Sequence, residues 1–122
     1  MKIVSASFFF YPVIDLPRAR RFYEGVLGLT VGKVFGASES GEIKYVIRET
    51  ALTISNLHAS FAPSKNGGMI VFEVESFSTA IASLSAADVR FVVPPFESPL
   101  CQGAIVSDPD GNSLMIQKRK QL

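Results

Sequence analysis

The second half of this chain repeats the pattern of its first half at an offset of 61 residues. Phe9, Tyr11, Val13, Asp15, Leu16 and Ala19 fall on Ile70, Phe72, Val74, Ser76, Phe77 and Ala80. In each copy an alternating apolar run meets a short polar capping residue and then a helical period. A unit this short cannot bury its apolar face alone. The copies are therefore expected to build a shared surface, with functional side chains at equivalent positions in both.

The local order can be read from periodicity. Residues 7–14 alternate Phe8, Phe10, Pro12 and Ile14 against Phe9, Tyr11 and Val13, which predicts a strand buried on both sides. Asp15 suits a helix N-cap with Pro17 in the first turn. Ala19, Phe22, Tyr23, Val26 and Leu27 then form an apolar stripe, and Gly28 suits a C-terminal cap. Strands follow over 29–35, 43–48 and 51–56, with Gly36–Gly41 as a hairpin loop. His58–Gly68 reads as the linker. The second copy places a strand over 68–75, a helix carrying Phe77, Ala80, Ile81 and Leu84, and strands over 89–94, 103–107 and 113–118. Pro94–Gly103, with three prolines, reads as a long loop at the rim of a site. The order is βαβββ twice.

Composition narrows the function classes. The chain has 122 residues, 48% apolar and 19% charged, as expected for one soluble globular domain. No apolar run approaches the ~20 residues of a membrane span. The net charge of +1 gives no support for nucleic acid or a membrane as partner, and Lys118-Arg119-Lys120 reads as a solvated terminus. Cys101 is alone, so no internal disulfide can form, and Met1-Lys2-Ile3-Val4 does not begin a signal peptide. A cytoplasmic location is expected.

This order, with three motifs, resembles the glyoxalase/bleomycin-resistance/dioxygenase (vicinal oxygen chelate) superfamily. The motifs are Val13-Ile14-Asp15-Leu16 through Phe22-Tyr23 and Leu27-Gly28-Leu29, Phe72-Glu73-Val74 before the second helix, and Asp108-Pro109-Asp110-Gly111-Asn112 before the last strand. The resemblance implies an α+β fold, one domain over 1–122 made of two βαβββ repeats (about 1–57 and 67–122). Each repeat would curl into half of a cup-shaped sheet with helices outside. Phe9, Tyr11, Val13, Leu52, Ile54, Ile70, Phe72, Val74, Leu114 and Ile116 would pack under the helices. Phe8, Phe10, Thr53, Ser55, Met69, Val71, Glu73, Met115 and Gln117 would face the cup and form the ligand-binding set.

Metal-dependent members of that family place His, Gln or Glu at four equivalent points. By the resemblance these are Phe8, Met69, Met115 and Thr53, the last after a one-residue slip in the offset. Such residues do not hold a divalent cation that seeks nitrogen or oxygen, and Met beside Phe reads as packing rather than a copper site. His58 lies in the linker and cannot build a site alone. No metal and no cofactor is therefore expected. Glu73, read as the one inward carboxylate of a central strand, could be a general base, or could simply turn to solvent or a cation. Thr53, Ser55 and Gln117 could bond a ligand or one another. Cys101 could be a nucleophile or an inert thiol, and no phosphate-binding glycine loop is present.

The expected function is metal-free binding of a small apolar or aromatic molecule, in the manner of the family's drug-sequestering members. Those that bind cationic glycopeptide drugs are expected to be acidic, which argues against bleomycin for a nearly neutral chain. The alternative is a metal-dependent glyoxalase-like lyase or dioxygenase. The resemblance also implies a homodimer.

Overall fold

A computed structural model describes residues 1–121, which fold as two units of one plan, the first running from Met1 to Ala62 and the second beginning at Pro63. The first unit contains β1 (Phe9–Pro12), α1 (Leu16–Arg20) continuing into a π-helical segment (Arg21–Val26), β2 (Thr30–Gly36), β3 (Gly41–Ile47) and β4 (Thr50–Ser55). The second contains β5 (Ile70–Glu73), α2 (Phe77–Ala86), β6 (Phe91–Glu97), β7 (Cys101–Ser107) and β8 (Ser113–Arg119). The sheets have the orders β1-β4-β3-β2 and β5-β8-β7-β6, with the first strand of each unit parallel to its last and the remaining pairs antiparallel.

Both helices start as their sequences require. The Asp15 carboxylate accepts from the Arg18 N–H at 3.0 Å, and the Ser76 hydroxyl accepts from the Thr79 N–H at 3.3 Å. The first helix then departs from an ideal period, because the Leu27 N–H reaches back five residues to the Phe22 carbonyl at 3.0 Å. This wide turn re-phases the apolar stripe. Leu16, Ala19, Phe22 and Tyr23 are buried, whereas Val26 and Leu27 are partly exposed. Gly28, with φ of +71°, ends the segment.

Strand alternation sorts the first unit cleanly. Tyr11, Ile54 and Ile43 stand in register across three strands and Leu52 and Tyr45 across two, and all five are buried on the helix face. In the second unit Ile70, Leu114, Ile116, Ala104 and Val106 fill the same role, with Leu84 from α2. Burying each large side chain of this kind contributes roughly 1.5–3 kcal/mol. Phe9 is a correction: it shares the helix face but is 45% exposed. It opens β1, an edge strand with a neighbour on one side only.

Three expected boundaries change. β1 and β5 are shorter than 7–14 and 68–75, because edge strands pair on one side and the helix caps follow closely. Gly36 and Gly41 are paired residues that close a tighter turn over 37–40. Pro94–Gly103 is not a long loop. Pro94 and Pro95 lie inside β6, an edge strand where a missing N–H is tolerated, and the register shifts between Val93 and Phe96. The turn that remains, Ser98–Leu100, is closed by the Ser98 hydroxyl accepting from the Leu100 and Cys101 amides at 3.1 Å each.

One polar cluster ties helix to sheet. Arg20 donates to both Glu24 oxygens at 2.7 and 3.3 Å, and the buried Tyr45 hydroxyl donates to Glu24 at 2.8 Å. Burial pushes the Glu24 carboxyl up, but the bonds from Arg20 and Tyr45 outweigh it and hold the group below the usual carboxylate range. Burial, with the carboxylate alongside, raises the Tyr45 phenol strongly. A carboxyl depressed in the folded state stabilises the protein above its unfolded pKa, and that contribution is lost as pH falls through the folded value. Glu24→Gln should lower stability at pH 7 by about 1 kcal/mol. The gap should narrow between about pH 5 and pH 3. Urea unfolding at pH 7, 5 and 3 checks this, and a gap that stays constant would remove Glu24 from the acid response.

Candidate ligand face of the first unit

The face of the first sheet opposite its helix carries the candidate site. One in-register row crosses all four strands as Phe10, Thr53, Lys44 and Lys33. The next holds Pro12, Ser55, Glu42 and Phe35. Between these rows and Phe8 lies a cavity of about 380 Å³, lined by Phe8, Lys33, Phe35, Glu42, Lys44 and Thr53. Thr53 is its buried lining residue, and Ser55 is buried in the neighbouring row.

His58, in the linker between β4 and β5, turns onto this face. The chain after β4 turns back, with the Phe61 N–H bonded to the His58 carbonyl at 3.0 Å. The His58 ring lies 5.7 Å from that of Phe10, and Phe10 lies 5.6 Å from Phe61 and 6.5 Å from Phe8. His58 Nε2 stands 3.4 Å from Glu42 Oε2, and the Ser55 hydroxyl donates to the same oxygen at 2.8 Å. Serine and histidine thus share one carboxylate oxygen rather than bonding each other, an arrangement that does not activate a hydroxyl nucleophile. Asn56 anchors the adjoining hairpin: its side chain accepts from the Gly41 N–H at 2.9 Å and donates to the Glu39 carbonyl at 2.8 Å.

Glu42, Lys33, Lys44, Phe35 and His58 were not in the sequence-derived set. Glu42 and Lys44 were legible, since they alternate with the apolar Ile43 and Tyr45. Glu73 is accordingly not the one inward carboxylate of a central strand. It lies on the edge strand β5, exposed, while Glu42 occupies the central β3. Lys33 was hidden by a bulge. Val31 pairs Tyr45 and Lys33 pairs Lys44, leaving Gly32 as an extra residue. A Cβ at Gly32 would come within 2.6 Å of Val46 Cγ2.

The corresponding face of the second unit is more apolar. Val71 pairs Met115, and Glu73 pairs Gln117. Met69, Met115 and Gln117 are partly exposed, and Val71 is exposed. The Met115 and Phe96 side chains close over Gly103, where a Cβ would meet each at 2.7 Å. Glu73 accepts from Gln117 Nε2 at 3.2 Å and from the Arg119 N–H at 2.8 Å. Cys101 is buried, its Sγ 3.8 Å from the Ser98 hydroxyl. Asp108 holds the turn before β8: it is buried and accepts from the Asp110 and Asn112 amides at 2.9 Å each.

Thr53 and Met115 occupy equivalent registers, Thr53 opposite Phe10 and Met115 opposite Val71. The one-residue slip has a location. Residues 47–50 separate the paired Val46 and Ala51, whereas the five residues 108–112 separate the paired Ser107 and Ser113. The positions that the resemblance equates with family metal ligands are then Phe8 with Thr53 in the first unit, and Met69 with Met115 in the second. Neither pair offers an imidazole or a carboxylate, so these positions do not fit a divalent cation. Among the described residues no three of His, Cys, Asp and Glu gather closely enough to hold a metal.

The model of the Glyoxalase/Bleomycin resistance protein/Dioxygenase superfamily matches residues 5–116. Among solved structures, TnmS3, an antibiotic binding protein from Streptomyces sp. CB03234, aligns with a TM-score of 0.81 at 21% identity, over 98% of this chain and 99% of its own. The fosfomycin resistance protein FosX from Listeria monocytogenes aligns with a TM-score of 0.77 at 16% identity, over 99% and 97%. An integron cassette protein from V. cholerae aligns with a TM-score of 0.70 at 25% identity, over 97% of each chain. No protein of curated function matches the sequence.

The ligand face and the helix face should respond differently to truncation. Phe8 is 49% exposed whereas Leu52, on the opposite face, is fully buried. Phe8→Ala should cost less than about 1.5 kcal/mol, and Leu52→Ala roughly 2–5 kcal/mol. Urea unfolding measures both, and a Phe8→Ala cost equal to that of Leu52→Ala would make Phe8 ordinary core.

Proposed function

The chain belongs to the glyoxalase/bleomycin resistance protein/dioxygenase superfamily, and we propose that it acts there as a metal-free binding protein for a small apolar or aromatic molecule. The observation that carries this reading is the cavity of about 380 Å³ on the helix-free face of the first unit. Its size lies within the range of small-ligand sites, roughly 300–1,000 Å³. Its lining joins two phenylalanines to Lys33, Lys44, Glu42 and Thr53, which makes it more polar than most such sites and supplies groups that can orient a ligand. Ser55 and His58 both meet Glu42 of that lining, Phe10 lies beside His58 and Phe8, and Met69, Val71 and Met115 give the second unit an apolar counterpart.

Two structural neighbours are described as an antibiotic binding protein and a fosfomycin resistance protein. Small-molecule binding by this chain is in keeping with both descriptions. The metal-dependent lyase or dioxygenase reading needs donors that Phe8, Thr53, Met69 and Met115 do not supply.

A ligand that binds the folded state raises the melting temperature by mass action. A thermal-shift panel of apolar and aromatic compounds should yield stabilising members, and Phe8→Ala should change their rank order by widening one wall. A panel without effect would overturn the binding reading. Elemental analysis of the purified protein should find no stoichiometric metal, and Ni, Zn, Mn or Fe at one per chain would favour the lyase or dioxygenase instead.

The same reading includes a homodimer. Ile14 is 70% exposed and Phe9 45%, and a second copy of the chain would cover both. Sedimentation at micromolar concentration should give twice the chain mass, and a monomer would overturn this part.

A further inference from the structure

Two lysines line the cavity of the first unit with no ion pair among the described residues. Lys33 and Lys44 are paired directly across β2 and β3, and both line the cavity. Like charges in that relation are destabilising. Among the described residues neither lysine has a carboxylate within ion-pair distance. The nearest candidate in register, Glu42, is engaged elsewhere: its Oε2 accepts from Ser55 on β4 and faces His58.

The backbone contributes as well. In unbroken alternation from Val31, whose partner Tyr45 is buried on the helix face, Lys33 would turn to that same side. The extra residue at Gly32 instead sets Lys33 opposite Lys44. A bulge that re-aims one side chain is characteristic of functional sites. The lining of the same cavity includes Phe8 and Phe35.

We propose that the molecule bound on this face is an aromatic acid, its carboxylate held between the Lys33 and Lys44 ammonium groups and its ring system lying on Phe8 and Phe35. This rests on the reading of the face as a ligand site and adds the charge of the ligand to it. A carboxylate there relieves the repulsion between the lysines and gains two charge-assisted hydrogen bonds. Thr53, buried in the cavity lining, offers a hydroxyl to a ring substituent.

The test uses three probes of one shape and different charge: 2-naphthoate, 2-naphthamide and 2-naphthylmethylamine. Each is titrated into the full chain and followed by NMR at the Thr53 methyl group. 2-Naphthoate should bind at least tenfold more tightly than the amide, and the amine should bind most weakly. Lys33→Gln/Lys44→Gln should bring 2-naphthoate to the level of the amide, and raised salt should do the same in part. Both lysines are exposed, so the double variant should melt at or above the wild-type temperature. Equal binding of 2-naphthoate and 2-naphthamide by the wild type would overturn the acid preference and leave the ligand site standing. Tightest binding of the amine would likewise overturn it. Failure of all three probes to bind at millimolar concentration would remove both the preference and the site.

Discussion

Every inference about this protein depends on strand alternation against a single short helix. In the first unit Tyr11, Ile54 and Ile43 line up across three strands and are buried under Leu16, Ala19, Phe22 and Tyr23. Because side chains alternate, burying that row commits Phe10, Thr53, Lys44, Ser55 and Glu42 to the other face. The proposed ligand face is thus a consequence of the core. A slip of one residue in β3 would exchange its two faces, placing Lys44 and Glu42 against the helix at a prohibitive desolvation cost. The cluster of Arg20, Glu24 and Tyr45 adds a directional lock, since it bonds the helix to β3 through a hydroxyl of the core.

The doubled sequence carries this logic twice with different outcomes. Both units keep the capped helix, the parallel first and last strands and the buried row. They differ in what the remaining face bears. The first has charged and polar groups between phenylalanines; the second has Met115 and Phe96 closing over Gly103, with Glu73 bonded to Gln117 and the Arg119 amide. Neither retains imidazole or carboxylate at the family's metal positions. A duplicated scaffold separates stability from function in this way: the helix face constrains the fold, and the opposite face is open to divergence.

Much of this was legible in the residues. The helix starts at Asp15 and Ser76 follow from local capping chemistry, and the faces of Tyr11, Leu52, Ile54, Leu114 and Ile116 follow from period two. What escaped has identifiable physical causes. Pro94 and Pro95 signal a loop, yet an edge strand accepts them because no partner requires their missing N–H. The bulge at Gly32 breaks the alternation that would have located Lys33; a lone glycine within a strand is the one local signal that could have found it. His58 is placed by a turn-back of the chain that depends on tertiary contact with Phe10 and Glu42. The wide helical turn after Arg20 is likewise set by packing, with Tyr23 stacked on Tyr45 at 6.0 Å.

The central claim is that a small aromatic molecule occupies the helix-free face of the first unit. Intermolecular nuclear Overhauser effects between bound 2-naphthamide, a neutral ligand, and the protein test it most directly. The account predicts contacts to the Thr53 methyl group and to the rings of Phe8 and Phe35. Contacts confined to the helix side, around Phe22 and Val26, or to Met115 and Phe96 of the second unit, would contradict it.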